Sequence, residues 1–388
     1  MDQSQGLGSS KALDEPVVRT TSVPYDDATP MQTIAQRLRP ESLEILILFV
    51  TPQADFDALI EQANVYCKGT QVIGCTTAGE ISKQGYTEGE IVAIGFPREY
   101  FRARTTLIEG LAEFDAQKVI DNMIRVRNEL ISEMPDWSNE FNFLLVDGLS
   151  TKEDKLVSDI ALGFGPVPLF GGSAGDGEDF SQTFLLHKGK AYRDAAVLTQ
   201  IRTRCPIRVF KSDHVIPTDK RMVVTGANPD KRTVHEINAE PAAREYARIL
   251  GKDPEQLTSF TFAAHPVVVR IGGHHHVRSI QRVEDNGELV FFSAIDEGLV
   301  LTLAEPQHIA NHLRDELASL STPTRPDAII ACDCVFRRME AQEKQLTNEV
   351  SSILSDNNVV GFSTYGEQHN SMHINQTLTG VAIYPPES

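Results

Sequence analysis

The hydrophobic positions of this chain repeat one pattern three times: an apolar run, an amphipathic segment, and a second apolar run that ends in a glycine turn. The first apolar runs lie at residues 43–50, 141–146 and 327–335. Each is followed by apolar residues at helical spacing, which in the first copy are Phe56, Leu59, Ile60 and Ala63. The pattern predicts three βαβ units, in which a helix packs against two parallel strands.

The turns that end the second apolar runs share their composition as well as their position. They read GCTTAGE, FGGSAGD and GFSTYGE, and their final acids are Glu80, Asp176 and Glu367. Glycine permits positive φ and close approach of the backbone, and hydroxyl side chains beside free N–H groups form a polar cup. We refer to residues 76–80, 172–176 and 363–367 as the first, second and third glycine cups. They are the expected place for a ligand.

Between the second and third units the pattern changes to short strands separated by turn residues. One hairpin is predicted to join residues 184–187 to residues 195–201 through a Lys-Gly turn. A second hairpin should join residues 222–225 to residues 233–237 through an Asn-Pro-Asp turn. Alternating strands of this kind indicate antiparallel sheet beside the parallel pairs.

A helix is predicted after these hairpins, with Asn238 as its N-cap and Gly251 directly after its last residue. The chain then returns to strand-like segments at residues 261–271, 274–282 and 289–295. A Gly-Gly turn separates the first two segments and an Asn-Gly turn separates the last two. We therefore expect an antiparallel meander in this part of the chain.

These elements predict an α/β fold of two domains, each with layered βαβ units and mixed sheets plus antiparallel hairpins. A length of 388 residues fits about two domains. We predict a flexible N-terminal leader at residues 1–28, which are polar and rich in Gly, Ser and Pro. The first domain should then span residues 29–238 and the second residues 239–388.

Composition narrows the class of protein further. The formal net charge of −18 and the pI of about 5.0 argue against a nucleic-acid partner, because phosphate binding needs clustered Lys and Arg. The sequence contains no run of about twenty apolar residues, so we expect no membrane span. Its five cysteines lie in or beside apolar segments and should be reduced and buried. A cytoplasmic protein is the expectation.

Several segments carry a resemblance to a known family: GCTTAGEI, LLVDGLSTKED, PLFGGSAGDG, INAEPAAREYARILG, CDCVFRRME and GFSTYGEQHNSMHINQTLTGVAI. In these segments the chain resembles FIST proteins, and more narrowly the haem-binding, nitric-oxide-sensing branch called NosP. The resemblance implies a FIST N-terminal and a FIST C-terminal domain, a bound haem b, and a signalling role. The implied partner is a histidine kinase or a cyclic-di-GMP enzyme, either a diguanylate cyclase or a phosphodiesterase. Assembly as a homodimer stays open.

A haem site requires an iron ligand, an apolar slot and cations for the propionates. No C-x-x-C-H motif is present, which excludes covalent attachment. His214, at the end of a predicted strand, is the first candidate ligand, and the resemblance links it with the haem-binding branch. His373, near the third glycine cup, is the second candidate. Arg270 and Arg278 flank a predicted turn and are the candidates for propionate pairing.

A haem-free binding module is the alternative function. In that case the glycine cups would grip a small polar molecule such as an amino acid, through Ser173, Asp176, Thr364, Glu367 and Asn375.

The second cup also matches the G-x-S-x-G nucleophile elbow, but an elbow leads from a strand into a helix. Here a strand is predicted after the turn, and the sister cups also carry hydroxyl residues, Thr76 and Ser363, next to the position that corresponds to Ser173. We therefore expect that the protein is not an enzyme.

Overall fold

The computed structural model describes residues 16–386. Within this range ten α-helices are present: α1 Pro30–Leu38, α2 Phe56–Tyr66, α3 Ala116–Glu133, α4 Glu153–Asp159, α5 Ala161–Phe164, α6 Ala242–Leu250, α7 Ser259–Ala264, α8 Ile309–Leu320, α9 Val335–Glu343 and α10 Thr347–Asp356.

The same range contains twenty-six strands: β1 Arg19–Pro24, β2 Leu43–Val50, β3 Gln71–Thr76, β4 Glu80–Ser82, β5 Gly85–Thr87, β6 Glu90–Pro97, β7 Phe101–Glu109, β8 Asn139–Val146, β9 Leu169–Ser173, β10 Leu185–His187, β11 Lys190–Tyr192, β12 Ala195–Thr203, β13 Ile207–Asp213, β14 Val215–Asn228, β15 Thr233–Ile237, β16 Glu240–Pro241, β17 Val267–Ile271, β18 His274–Arg278, β19 Ile280–Val283, β20 Leu289–Phe291, β21 Val300–Pro306, β22 Ala328–Cys334, β23 Val359–Thr364, β24 Glu367–His369, β25 Met372–Ile374 and β26 Thr377–Ile383.

The three predicted βαβ units are confirmed. Strand β2 pairs in parallel with β3, β8 with β9, and β22 with β23, and one or two helices connect each pair. Helix α2 shows why the connecting segments are helical: Asp55 caps it by accepting a hydrogen bond from Ala58 N at 3.0 Å, and its apolar stripe is buried. The fold is mixed α/β, as expected.

The two predicted domains exchange strands in space. Strand β24 pairs with β9, β4 pairs with β23, and β14 pairs with β21, so three of the four sheets contain strands from both sides of residue 238. The order of one such sheet is β25-β24-β9-β8-β12-β7. The two halves therefore fold around shared sheets.

Backbone hydrogen bonds join the three glycine cups into a closed ring. Gly175 N donates to Thr76 O at 3.1 Å, which joins the second cup to the first. Ser363 N donates to Gly79 O at 2.7 Å, and Ser173 N donates to Gly366 O at 2.8 Å. The ring needs glycine because the chains approach so closely: a Cβ at Gly175 would lie 2.9 Å from the Cβ of Ala78.

Aromatic side chains pack beneath this ring. Phe49 of β2 stacks on Phe362 of β23 with ring centroids 4.3 Å apart, and it meets Phe143 of β8 edge-on at 6.4 Å. Each βαβ unit thus contributes at least one phenylalanine to the same buried cluster. Burial of these rings fixes the positions of the three strand ends relative to one another.

Two predictions about chain organisation are wrong. Residues 19–24 of the predicted leader form β1, which pairs with β6, and Val17 and Val18 are buried. The prediction failed because the polar composition of the whole segment outweighed the few apolar residues that form this strand and its buried start. Residues 1–15 of the leader lie outside the described residues. The hairpin that begins at β10 returns through β11 rather than residues 195–201, because Lys188 and Gly189 both have positive φ and form a tight turn.

The second half also departs from the prediction in three places. Residues 259–264 form α7 instead of a strand, because Thr258 and Thr261 make a capping box. The segment predicted at 274–282 is divided at Ser279 into β18 and β19. Asn238 is not the N-cap of α6: it has a φ of 52°, and its Oδ1 accepts from Val223 N at 2.8 Å. The hairpin of β19 and β20 is confirmed.

Replacement of Gly148 by alanine tests whether the cup ring limits stability. The new Cβ would lie 2.1 Å from the carbonyl oxygen of Ala174 in the second cup, so the backbone must shift. We expect a loss of about 3 kcal/mol or more in the free energy of unfolding, measured by chemical denaturation. Gly272→Ala is the matched control: its φ is 58° but its Cβ would meet nothing, so the loss should be about 1 kcal/mol. Equal losses would contradict the role of the ring.

Candidate functional site

The acids of the first and third cups are buried and bonded in the same way. Thr77 Oγ1 donates to Glu80 Oε1 at 2.5 Å, and Thr364 Oγ1 donates to Glu367 Oε1 at 2.6 Å. Burial raises the pKa of Glu80 to about 7 and the pKa of Glu367 to about 8, against the effect of these hydrogen bonds. Thr364 and Glu367, two candidates for ligand binding, are thus bonded to each other.

Asp176 of the second cup has a different environment. Its Oδ2 accepts from Ser181 N at 2.8 Å and from Gln182 N at 2.6 Å, and its Oδ1 accepts from the hydroxyl of Tyr365. Burial favours the neutral acid, but the bonds from Tyr365 and the loop amides outweigh it and lower the pKa of Asp176. The carboxylate therefore holds the loop after the second cup.

A dense group of polar side chains lies between the second and third cups. We call it the central polar cluster, and it consists of Glu153, Asp154, Ser173, Arg232, Arg278, Ser279, Ser293, Gln368, His373 and Asn375. All of them are buried except Asp154 and Arg278, which are partly exposed. Helix α4, the second cup, the β24–β25 hairpin and the ends of β18 and β25 bring these residues together.

The charges of the central polar cluster are paired with one another, and the approach of Arg278 to Asp154 joins the two halves of the chain. Arg232 donates to Glu153 at 2.8 Å and to Asp154 at 3.0 Å. Arg278 donates to His373 O at 3.3 Å, and its Nη2 lies 3.9 Å from Asp154. Burial opposes ionisation of Asp154, but the positive charges of Arg232 and Arg278 lower its pKa. Arg232 and both acids were missed by the sequence prediction, although Glu153 and Asp154 begin a helix shortly after a buried strand.

His373 presents an unpartnered nitrogen inside the cluster. The amide nitrogen of Gln368 lies 3.2 Å from His373 Nδ1, and an amide nitrogen can only donate, so Nδ1 accepts and Nε2 carries the proton. Nε2 is buried and has no hydrogen-bond partner among the described residues. Burial lowers the pKa of His373, against the attraction of Asp154 and Glu153, and keeps the ring neutral.

Two further donors beside His373 also lack partners. Asn375 Oδ1 accepts from Ser279 N at 3.3 Å and from the hydroxyl of Ser293. Its Nδ2 and the hydroxyl of Ser279 are buried without a partner in the described part of the chain. A Cβ placed on Gly366 would lie 2.7 Å from His373 Nε2 and 3.1 Å from Asn375 Nδ2, so both nitrogens converge on the third cup.

His214 lies elsewhere, between β13 and β14, and is buried in an ion network. Arg337 Nη1 is 2.8 Å from its Nδ1, and Glu340 Oε2 is 2.7 Å from its Nε2. Because Arg337 donates, Nδ1 accepts and Nε2 donates to Glu340. Burial lowers the pKa of His214, and the nearby Arg337 acts in the same direction. Both nitrogens of this ring are therefore engaged within the protein.

The two candidate arginines are not brought together. Arg278 stands opposite Val267 in the β17–β18 hairpin, and Arg270 stands opposite His275. Val267 and Arg270 are three residues apart on one strand, so the two arginines point to opposite faces of the sheet. Arg270 is exposed, whereas Arg278 is largely buried beside the central polar cluster.

The resemblance implies a bound haem. The candidate iron ligands and the candidate propionate partners are not placed in this structure so that they could hold one. His214 offers no lone pair without losing Arg337 or Glu340. His373 has a partner-free Nε2, but this nitrogen faces the backbone of Gly366 and the charges of the cluster instead of an apolar slot. Arg270 and Arg278 cannot hold two propionates on one face. Among the described residues no group of three or more His, Cys, Asp or Glu is arranged to hold a metal ion.

Comparison with known proteins places the chain in a family. The FIST N domain model matches residues 44–240, and the FIST C domain model matches residues 242–370. The chain therefore belongs to the FIST family, whose domains are sensory modules in signal transduction. It is also similar to an uncharacterized protein of Methanocaldococcus jannaschii, with 24% identity over 377 residues that cover 87% of this chain and 73% of the relative. None of the helices in residues 16–386 is long and apolar enough to cross a membrane.

Substitution of His214 tests its place in the ion network. His214→Ala removes the partner of two buried charges, so we expect the free energy of unfolding to fall by about 3–5 kcal/mol. His275→Ala, at an exposed position of β18, is the control and should change stability by less than about 0.5 kcal/mol. Urea denaturation of both variants measures the difference. A stable His214→Ala protein would show that the network does not support the fold.

Proposed function

We propose that this protein is a sensory module that binds a small molecule rich in oxygen acceptors, such as an amino acid, in the central polar cluster. The observation that carries the proposal is the set of three buried donors without partners: His373 Nε2, Asn375 Nδ2 and Ser279 Oγ. Each buried donor left without an acceptor costs about 1–3 kcal/mol. A carboxylate or carbonyl group of a ligand supplies those acceptors.

The charged part of the cluster provides the rest of the recognition. Arg278 is adjacent to His373 and adds a cation for a ligand carboxylate. Asp154, with its lowered pKa, remains ionised at neutral pH and can accept from a ligand amine. Ser173 and Asn375, which the sequence indicated for the alternative function, both lie in this cluster. Two opposite charges next to neutral donors suit a small zwitterion.

The placement of the cluster supports a signalling role. Its residues come from both halves of the chain, so a bound molecule contacts the second cup, the third cup and β18 at the same time. A ligand that binds one arrangement of these elements more tightly than another shifts the population towards it. The implied receiver is a separate cytoplasmic chain, a histidine kinase or a cyclic-di-GMP enzyme.

Thermal unfolding in the presence of a panel of the standard amino acids tests the proposal. We expect at least one of them to stabilise the protein, by about 2.7 kcal/mol at a hundredfold excess over the dissociation constant. Asn375→Ala should abolish that stabilisation, because it removes a donor and frees Ser279 N. Arg270→Ala, on the opposite face of the sheet from Arg278, should retain it. A panel without effect, or an unchanged response in Asn375→Ala, would contradict the proposal.

A haem-based nitric oxide sensor is the second candidate, favoured by one observation. His373 Nε2 is the candidate-ligand nitrogen that has no hydrogen-bond partner in the described chain. It would bind iron only after the ring exchanges its proton to Nδ1.

Addition of haem to the purified protein discriminates between the candidates. A Soret band that is lost in His373→Ala and kept in His275→Ala would support the haem function. A spectrum identical to that of free haem would exclude it.

A further inference from the structure

The loop that follows the second glycine cup carries an aromatic side chain that the rest of the loop does not cover. We call residues 177–182, which lie between β9 and β10, the Phe180 loop. Every residue of the loop except Gly177 and Phe180 is exposed, and Phe180 is half-buried. Phe180 has a φ of 50°, in the left-handed region that bulky side chains avoid. Contacts with other parts of the chain must therefore hold it in this conformation.

Two buried aromatic rings form the seat of Phe180. Its ring packs against Tyr365 of the third cup, with ring centroids 4.6 Å apart, and against Phe292, with centroids 5.6 Å apart. The rings of Tyr365 and Phe292 also pack on each other, at 5.8 Å. Asp176 accepts from two amides of the loop and from the hydroxyl of Tyr365, so the same carboxylate joins the loop to its seat.

Phe292, one side of this seat, is bonded to the central polar cluster through its backbone. Phe292 N donates to Ser279 O at 3.0 Å, and Phe292 O accepts from the guanidinium group of Arg232. The hydroxyl of the next residue, Ser293, donates to Asn375 Oδ1. A displacement of Ser279, Arg232 or Asn375 therefore changes the position of Phe292, and with it the seat of the loop.

The cluster also contains a reason for the loop to leave its seat. His373 Nε2, Asn375 Nδ2 and Ser279 Oγ are buried and have no hydrogen-bond partner among the described residues. A shift of residues 292–293 that brings carbonyl groups to these donors would satisfy them and would separate Phe292 from Phe180. The backbone of Phe180 would then leave the left-handed region as well. A ligand that supplies acceptors to the donors removes the advantage of such a shift.

We propose that the Phe180 loop responds to the occupancy of the central polar cluster and is seated for a larger fraction of the time when a ligand is bound. This inference rests on the proposed binding function and adds the segment through which binding is transmitted. A ligand that pairs with the cluster donors binds the seated arrangement more tightly, so it shifts the population towards that arrangement. Because the loop is exposed, its ordering changes a surface that another chain can contact.

Hydrogen–deuterium exchange of the whole chain, read by mass spectrometry in a peptide that covers residues 177–182, tests the proposal without any added ligand. The amides of Ser181 and Gln182 donate to Asp176 and lose this acceptor when the loop leaves its seat. Ser293→Ala removes a bond between the seat and the cluster, so we expect exchange of this peptide to become about tenfold faster.

Phe180→Ala removes both aromatic contacts of the loop and should accelerate the same exchange by about tenfold or more. In the double variant, Ser293→Ala should add no further acceleration, because the ring through which the cluster acts on the loop is absent. Such non-additivity is the signature of transmission through Phe180, which two independent losses of stability would not produce.

Ser212→Ala is the matched control, because it removes a serine hydroxyl that is almost as buried, at 2% exposure against 0% for Ser293, from a different strand, β13. It should leave exchange of the loop unchanged. Three results would overturn the proposal: unchanged exchange in Ser293→Ala, equal acceleration in Ser212→Ala, or additive effects in the double variant. Exchange in the buried strand β2, which should stay slow in every variant, separates release of the loop from unfolding of the protein.

The unaltered protein provides a second test, in which each of the standard amino acids is added in turn. An amino acid that stabilises the protein should slow exchange of residues 177–182 by about tenfold in the wild type and not at all in Phe180→Ala. If it stabilises the protein without slowing this exchange, the inference about the loop is wrong and the binding function stands. If no amino acid stabilises the protein, the binding function is wrong, and the comparison of Ser293→Ala with Ser212→Ala decides on the loop.

Discussion

The close approach of three backbone turns is the constraint on which this structure depends. The glycine cups donate to one another through main-chain amides, and side chains larger than hydrogen at positions such as Gly175 would separate them. This contact joins sheets that contain strands from both halves of the chain. The FIST N and FIST C domains are therefore consecutive in sequence and interleaved in space.

Because the cups meet in the interior, their polar side chains are removed from water, and hydrogen bonds to the acid of each cup offset the cost of this desolvation. The third cup satisfies Glu367 with two threonines. The second uses Asp176 to hold the following loop. The first bonds Glu80 to the hydroxyl of Thr77 and to the backbone N–H of Glu90. Repetition of one motif has thus produced two buried, hydrogen-bonded glutamates and one aspartate that anchors a loop.

The two buried histidines also differ in how their polar atoms are satisfied by hydrogen bonds. His214 lies between an arginine and a glutamate that use both of its nitrogens, and this arrangement serves the fold. His373 is equally buried but has one nitrogen without a partner, next to two other unpartnered donors. Burial alone does not distinguish the two residues. The two residues differ in the number of ring nitrogens that have a hydrogen-bond partner. This difference indicates the central polar cluster, which contains His373, as the candidate site.

The sequence by itself determined the βαβ units, the three cups and the α/β class, because helical and strand periodicities and glycine turns are local properties. It indicated Ser173, His373 and Asn375 as site residues through their proximity to the cups. Only the tertiary structure decided that Arg232, Glu153 and Asp154 join them and that both nitrogens of His214 are hydrogen-bonded, because those contacts join residues 78 to 126 positions apart in the chain. It also decided that Arg270 and Arg278 face opposite ways, since strand register depends on pairing partners that lie outside each segment.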